Sequence, residues 1–168
     1  MLTAGGLLQG SYRNRCRPMP HFETTRRVAH SAEDMFDLVA DVDKYPGFVP
    51  LCQSLTVRGR REQDDGTELL IADMTVAYRF IRETFTSRVV LDRANRTISV
   101  EYLDGPFRHM ENRWTFKPID EGHSEVGFFI SYEFKSRALS AVMGSVFDRA
   151  FRRFAAAFEE RADQVYGT

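Results

Sequence analysis

Three polar side chains stand where the pattern of the sequence calls for apolar ones. Asn112 falls in Met110-Glu111-Asn112-Arg113-Trp114-Thr115-Phe116, on the apolar side of a period-two alternation. An amide there must find hydrogen bonds. Either a neighbouring strand supplies them, or Asn112 orients the carbonyl or hydroxyl of a ligand, since apolar pockets carry a few such groups. Arg82 and Glu83 interrupt the apolar run that ends at Leu91, and each can face either way. All three are candidate polar contacts for a ligand, but they make no acid/base set. His21, His30, His109 and His123 are scattered, with none spaced to serve a nucleophile. The carboxylate pairs Asp64-Asp65 and Glu159-Glu160 fall in a turn and on a helix surface, where solvation accounts for them. No GxSxG, HExxH, phosphate loop or CxxC occurs, and Cys16 and Cys52, the only cysteines, lack the spacing of a metal site. No catalytic residue, metal or covalent cofactor is expected. The roles left open are structural hydrogen bonding within the fold and contact with an apolar ligand.

The equipment for that is abundant. The chain has 14 Phe against one Trp, and rings of this kind bury large areas, either as core or as the lining of a cavity. One stretch stands apart: from Tyr45 to Val57 there is no Asp, Glu, Lys, Arg or His. Pro46, Gly47 and Pro50 argue against a helix across Tyr45 to Cys52. The prolines also limit the conformations that Phe48 and Val49 must lose on ordering. Tyr45, Phe48, Val49, Pro50 and Leu51 therefore read either as a gate at the rim of a cavity or as a plug closing the end of a core.

These residues need elements to position them. His21 to Ala29 alternates weakly and reads as an edge strand. Ser31 offers an N-cap with Asp34 three positions on, and Met35, Phe36, Val39 and Ala40 share one face of a short helix running to about Val42. The period then becomes two. Leu51, Leu55 and Val57, then Leu70, Ala72, Met74 and Val76, then the run from Phe80 through Phe85 to Leu91, form three strands separated by turns such as Asp64-Asp65-Gly66. Ile98, Val100 and Tyr102 form a fourth, and Asp104-Gly105-Pro106 breaks the chain before Phe107. Met110, Asn112, Trp114 and Phe116, and then Val126, Phe128, Ile130, Tyr132 and Phe134, complete an antiparallel meander of six strands. After Ser136 the period is helical. Met143, Phe147, Phe151, Phe154, Phe158 and Val165 fall within about 80° of arc, one long apolar stripe. A sheet with one apolar face needs a cover, and this helix is the element long enough to lie across it. The expected fold is α+β, a curved sheet of about seven strands gripping a C-terminal helix.

At 168 residues, 43% hydrophobic and 28% charged, the sequence suits one globular domain. Residues 1–18 lack acids and periodicity and read as a disordered or mis-assigned extension, with Met19 as an alternative start and 19–168 as the domain. Beyond Arg13, Arg15 and Arg17 the chain has 20 basic residues against 24 acidic, a net charge of −4. That balance does not suit DNA or a strong pull to anionic surfaces. Arg137, Arg149, Arg152 and Arg153 cluster on the last helix, either as a solvated face or as a contact for RNA or anionic lipid. No apolar run reaches the ~18 residues of a membrane span, so any membrane contact would be peripheral. A cytoplasmic monomer, able to work at the inner membrane surface, is the expectation.

The order strand, helix, six strands, long helix resembles the helix-grip fold of START-like proteins, which include lipid-transfer domains, birch-pollen-type allergens and polyketide cyclases/aromatases. More narrowly, Tyr45-x-x-Phe48-Val49-Pro50-x-Cys52, Arg82-Glu83-x-Phe85-Thr86, Gly105-Pro106-Phe107 with Trp114-x-Phe116, and Tyr132-Glu133-Phe134 resemble the family uniting the coenzyme Q-binding protein with the bacterial ribosome association toxin. The likeness covers about residues 19–166. It implies one of two functions: non-catalytic binding of ubiquinone in support of cellular respiration, or binding to the large ribosomal subunit. A cyclase-like enzyme is a third expectation. Where quinone-binding members often carry Trp between Pro50 and Cys52, this chain has Leu51. A net charge of −4 is poor equipment for ribosomal RNA, whose recognition depends on neutralising phosphates. Burying an isoprene unit contributes on the order of 2–4 kcal/mol. A polyprenyl quinone is therefore the favoured ligand, its tail held between the sheet and the helix. The candidate lining comprises the segment at Tyr45 to Leu51 with Met74, Phe85, Phe107, Met110, Asn112, Trp114 and Phe128 of the strands, and Met143, Phe147, Phe151 and Phe154 of the helix.

Overall fold

Period-two alternation expected from Leu51 to Phe134 becomes six long strands, the first starting one residue later at Cys52, in the computed structural model, which describes residues 20–167. They are β2 (Cys52–Glu62), β3 (Glu68–Tyr78), β4 (Ile81–Asp92), β5 (Thr97–Asp104), β6 (Phe107–Asp120) and β7 (His123–Phe134). β1 (His21–Val28) joins at the far edge by pairing antiparallel with β7, giving the order β1-β7-β6-β5-β4-β3-β2. The extension expected at residues 1–18 lies outside the described residues.

Between β1 and β2 lies helix α1 (Ala32–Ala40), where the Ser31 hydroxyl accepts the Asp34 amide at 3.1 Å as the sequence pattern requires. It stops two residues short of the expected end. The following segment is not free of helix either: Val42–Gly47 forms a 3-10 helix that includes Pro46. The proline fits because its fixed φ near −65° is within the 3-10 range, and so short a helix asks few residues for an amide proton.

Helix α2 (Arg137–Tyr166) runs for 30 residues, about 45 Å at 1.5 Å per residue. Ser136 caps it by accepting the Leu139 amide at 3.2 Å. Its apolar stripe buries Met143, Phe147, Phe151 and Phe158, but Val165 at the last turn is 49% exposed, so the stripe ends before the sequence pattern does. α2 packs on β1, β7 and α1, not centrally on the sheet. Its rings meet those of β6 and β7: Phe147 stacks on Phe134 at 5.3 Å, and Phe158 meets Trp114 at 4.8 Å.

One expected strand residue is displaced. Tyr78 pairs with Ile81, so Arg79 and Phe80 form the two-residue loop between β3 and β4. Phe80 is 92% exposed at its tip. The connection between β5 and β6 depends on Gly105, at φ 137°, where a Cβ would come within 2.7 Å of the Phe85 Cβ.

Candidate functional site

Because α2 leans toward β1 and β7, the inner face of β2, β3 and β4 is left partly uncovered. The space between that wing and the helix is a cavity of about 110 Å³. β4 supplies Phe85, Ser87 and Val89, and β3 supplies Ala72, Met74 and Val76. Strand alternation puts each set on one face. β6 adds Phe107, Met110, Asn112 and Trp114, β7 adds Phe128 and Ile130, and α2 closes the space with Phe147, Ala150, Phe151, Phe154 and Phe158. Val42, Tyr45, Val49, Pro50 and Leu51 form its wall at the start of β2. No Asp, Glu, His, Lys or Arg lines it among the described residues.

The polar atoms of the wall are mostly spoken for. The Tyr45 hydroxyl donates to the Val39 carbonyl at 2.5 Å, satisfying one of the carbonyls that the end of α1 leaves open. Burial drives its pKa far above the usual phenol range. Asn112 donates from Nδ2 to the Phe129 carbonyl at 2.8 Å, and its Oδ1 accepts the Trp114 indole N–H at 3.2 Å. The neighbouring strand thus supplies the partner that the amide needed. Ser87 is the exception. It is 5% exposed, lines the cavity, and its hydroxyl has no hydrogen-bond partner among the described residues.

Most of the residues expected in a lining are brought together here: Tyr45, Val49, Pro50, Leu51, Met74, Phe85, Phe107, Met110, Asn112, Trp114, Phe128, Phe147, Phe151 and Phe154. Four are not. Phe48 lies outside the lining and packs on Phe158 at 5.0 Å, with the Arg161 guanidinium 5.5 Å from its ring centroid. Met143, 1% exposed, lies in the packed core outside the cavity wall. Arg82 is exposed on the face of β4 opposite Phe85. Glu83 shares the inner face but sits half-buried beside Val76, outside the lining. Sequence reasoning missed Ser87, although its place two residues from both Phe85 and Val89 marks it as inward-facing. It also missed Phe158 as a cavity residue, having assigned it only to the helix stripe.

Leu51 has an unusual backbone. Its φ is 66°, in the region that favours glycine, while its carbonyl accepts the Ala77 amide at 3.0 Å and its side chain lines the cavity. Cys52 next to it is buried, and burial pushes its thiol up to about 11.

A curved seven-stranded antiparallel sheet wrapped on a C-terminal helix, with an apolar cavity between them, defines a helix-grip, START-like domain that binds a hydrophobic ligand. The chain belongs to the family described as polyketide cyclase / dehydrase and lipid transport, whose model matches residues 28–159. It is 34% identical over 140 residues to the ribosome association toxin RatA of Vibrio cholerae serotype O1, spanning 83% of this chain and 93% of that protein. It is 30% identical over 150 residues to the mitochondrial coenzyme Q-binding protein COQ10 homolog B of Xenopus laevis, spanning 87% of this chain and 59% of that one. The solution structure of the 18 kDa protein CC1736 from Caulobacter crescentus superposes with a TM-score of 0.72 at 35% identity, over 89% of this chain and 100% of that one. Among the described residues no helix is long and apolar enough to cross a membrane.

Proposed function

We propose that this chain binds a polyprenyl quinone of the ubiquinone type, or a closely similar isoprenoid lipid, and carries it unchanged. The observation that supports this most is the composition of the wall, which is aromatic and aliphatic apart from Asn112, engaged within the sheet, and one hydroxyl left free at Ser87. A quinone ring offers carbonyl oxygens that accept and no group that donates, which matches a serine O–H inside an apolar surface. The volume sets a limit. An apolar cavity of about 150 Å³ accommodates benzene, so about 110 Å³ takes roughly a single isoprene unit, and a substituted quinone ring requires it to widen. A longer tail requires the wing formed by β2, β3 and β4 to part from α2, and the half-buried side chains of Leu55, Met74 and Phe85 lie where that parting would occur. The similarity to a coenzyme Q-binding protein points the same way.

A second reading, association with the large ribosomal subunit, draws on the similarity to RatA and on Arg149 and Arg153, both exposed on α2. A cyclase-like activity is less well supported, because the wall carries no carboxylate, imidazole or basic group and Asn112 is engaged within the sheet.

Trp114 is the only tryptophan and stands in the cavity wall, which gives a direct test. Titration with a short-chain ubiquinone should quench its fluorescence to saturation in the micromolar range, and should do so less on Ser87→Ala. Quenching that never saturates, or that is the same for free tryptophan, would overturn the proposal.

A further inference from the structure

We infer that the hairpin tip between β3 and β4 is a docking point for a bilayer containing anionic phospholipid, with Phe80 as the inserted side chain and Arg79 and Arg82 as its headgroup contacts. Phe80 is 92% exposed, the most exposed large apolar residue of the described chain. A ring in that position gains nothing for the fold, whereas at a membrane interface it is removed from water. Its neighbours carry charge of the right sign. Nine arginines, among them Arg26, Arg58, Arg88 and Arg113, pair with carboxylates, whereas Arg79 and Arg82, like Arg27, Arg61, Arg137, Arg149, Arg153 and Arg161, have no acidic partner among the described residues. Arg79 lies over the Tyr78 ring at 5.3 Å and keeps a φ of 56°, a backbone state that glycine would hold more easily.

Topology puts this tip beside the cavity. Alternate turns of a meander share an end, so the tip, the start of β2 at Cys52, the connection between β5 and β6, and the start of α2 lie together. The Leu51 carbonyl, which accepts the Ala77 amide, ties the cavity wall to the base of the hairpin. The Pro106 carbonyl, which accepts the Lys135 amide at 2.9 Å, ties the β5–β6 connection to α2. Leu103 and Val142 at this end are 45% and 50% exposed, and Lys135 and Arg137 add unpaired positive charge. The opposite end carries the acidic turns Asp64-Asp65-Gly66 and Asp120-Glu121-Gly122, while its Arg93 and Arg96 pair with Glu33 and Asp37. At the cavity end Arg79, Arg82, Lys135 and Arg137 outnumber Glu83 and Asp104, the balance that suits an anionic surface. The inference concerns the tip and does not depend on which lipid fills the cavity.

The test is co-sedimentation of the full chain with vesicles of phosphatidylcholine, alone or mixed with phosphatidylglycerol. Binding should need the anionic lipid, fall about tenfold on Phe80→Ser, the loss expected when a buried aromatic is removed, and fall about fivefold for each of Arg79→Gln and Arg82→Gln. Because Phe80 is almost wholly exposed, its replacement should leave the melting temperature unchanged. Phe80→Trp should add a fluorescence component that shifts to the blue on anionic vesicles and not on neutral ones. The inference is overturned if these variants bind vesicles as the parent does, or if they lose binding to ribosomal subunits while vesicle binding persists. Quinone quenching of Trp114 is read separately without vesicles, so failure of the docking point and failure of the carrier reading are distinguishable.

Discussion

The ring of Phe48 stands edge-on to the ring of Phe158, their centroids 5.0 Å apart, and Tyr45 meets the same Phe158 ring at 5.3 Å. The proline-rich segment is therefore divided in its roles. Phe48 anchors it to the C-terminal half of α2, while Pro50 and Leu51 face the cavity.

Single substitutions should separate the two roles. Phe48→Ser is expected to destabilise the fold by about 2–3 kcal/mol, somewhat less than a fully buried Phe would. Leu51→Ser should cost under about 1 kcal/mol, since the side chain is half-buried and its backbone is already strained, yet it should weaken quinone binding severalfold. Urea denaturation and Trp114 quenching on both variants check the contrast.

Asn112 is a structural residue in this account. Asn112→Ala leaves the Trp114 indole N–H and the Phe129 carbonyl without the partners they have now. The expected loss is about 2–4 kcal/mol of stability, from two groups left unsatisfied. Ligand affinity of the folded fraction should change less than twofold. A large affinity loss with unchanged stability would return Asn112 to the role of ligand contact.

Ser87 should behave in the opposite way. Ser87→Ala removes no hydrogen bond of the fold, so stability should hold. Affinity for a quinone should fall about two- to tenfold, the range for a single neutral hydrogen bond. Binding of an isoprenoid hydrocarbon without oxygen should not change, and competition between the two ligands measures the difference.

Alkaline pH should loosen the fold through the same segment. The Cys52 thiol is raised from 9.0 to about 11, and the Tyr45 phenol is raised further, both by burial. Above pH ~9 the unfolded chain releases these protons and the folded chain does not. The contribution of Cys52 is therefore complete below pH ~9 and is lost as pH rises through about 11, and that of Tyr45 begins to be lost only above its ordinary value of 10.0. Melting temperature followed across that range should fall, and Cys52→Ala should flatten the lower part of the decline. At neutral pH the protonated, buried thiol should react with iodoacetamide far more slowly than a free cysteine.

The sheet and α2 were legible because two periods carry them: alternation from Leu70 to Val76 or from Met110 to Phe116, and the stripe from Met143 to Phe158. Periodicity assigns a face but not what lies opposite it. Met143 and Phe147 share the stripe, yet one is enclosed in the core and the other faces the cavity, because α2 leans toward β7. Phe80 reads as strand by residue type, and only the pairing of Tyr78 with Ile81 makes it a loop tip. Ser87 escaped notice because a small hydroxyl does not interrupt an apolar pattern as Asn112 does. Arg82 and Glu83 drew attention as charges, and their parity along β4 decides their faces only once Phe85 is known to point inward.

Mass spectrometry of the organic extract of the natively purified protein shows whether it carries a quinone. The expected result is a polyprenyl quinone in near-stoichiometric amount, reduced on Leu51→Ser and Ser87→Ala. Repeated extracts without quinone, together with no change in the amide resonances of β3 and β4 when quinone is added, would contradict it.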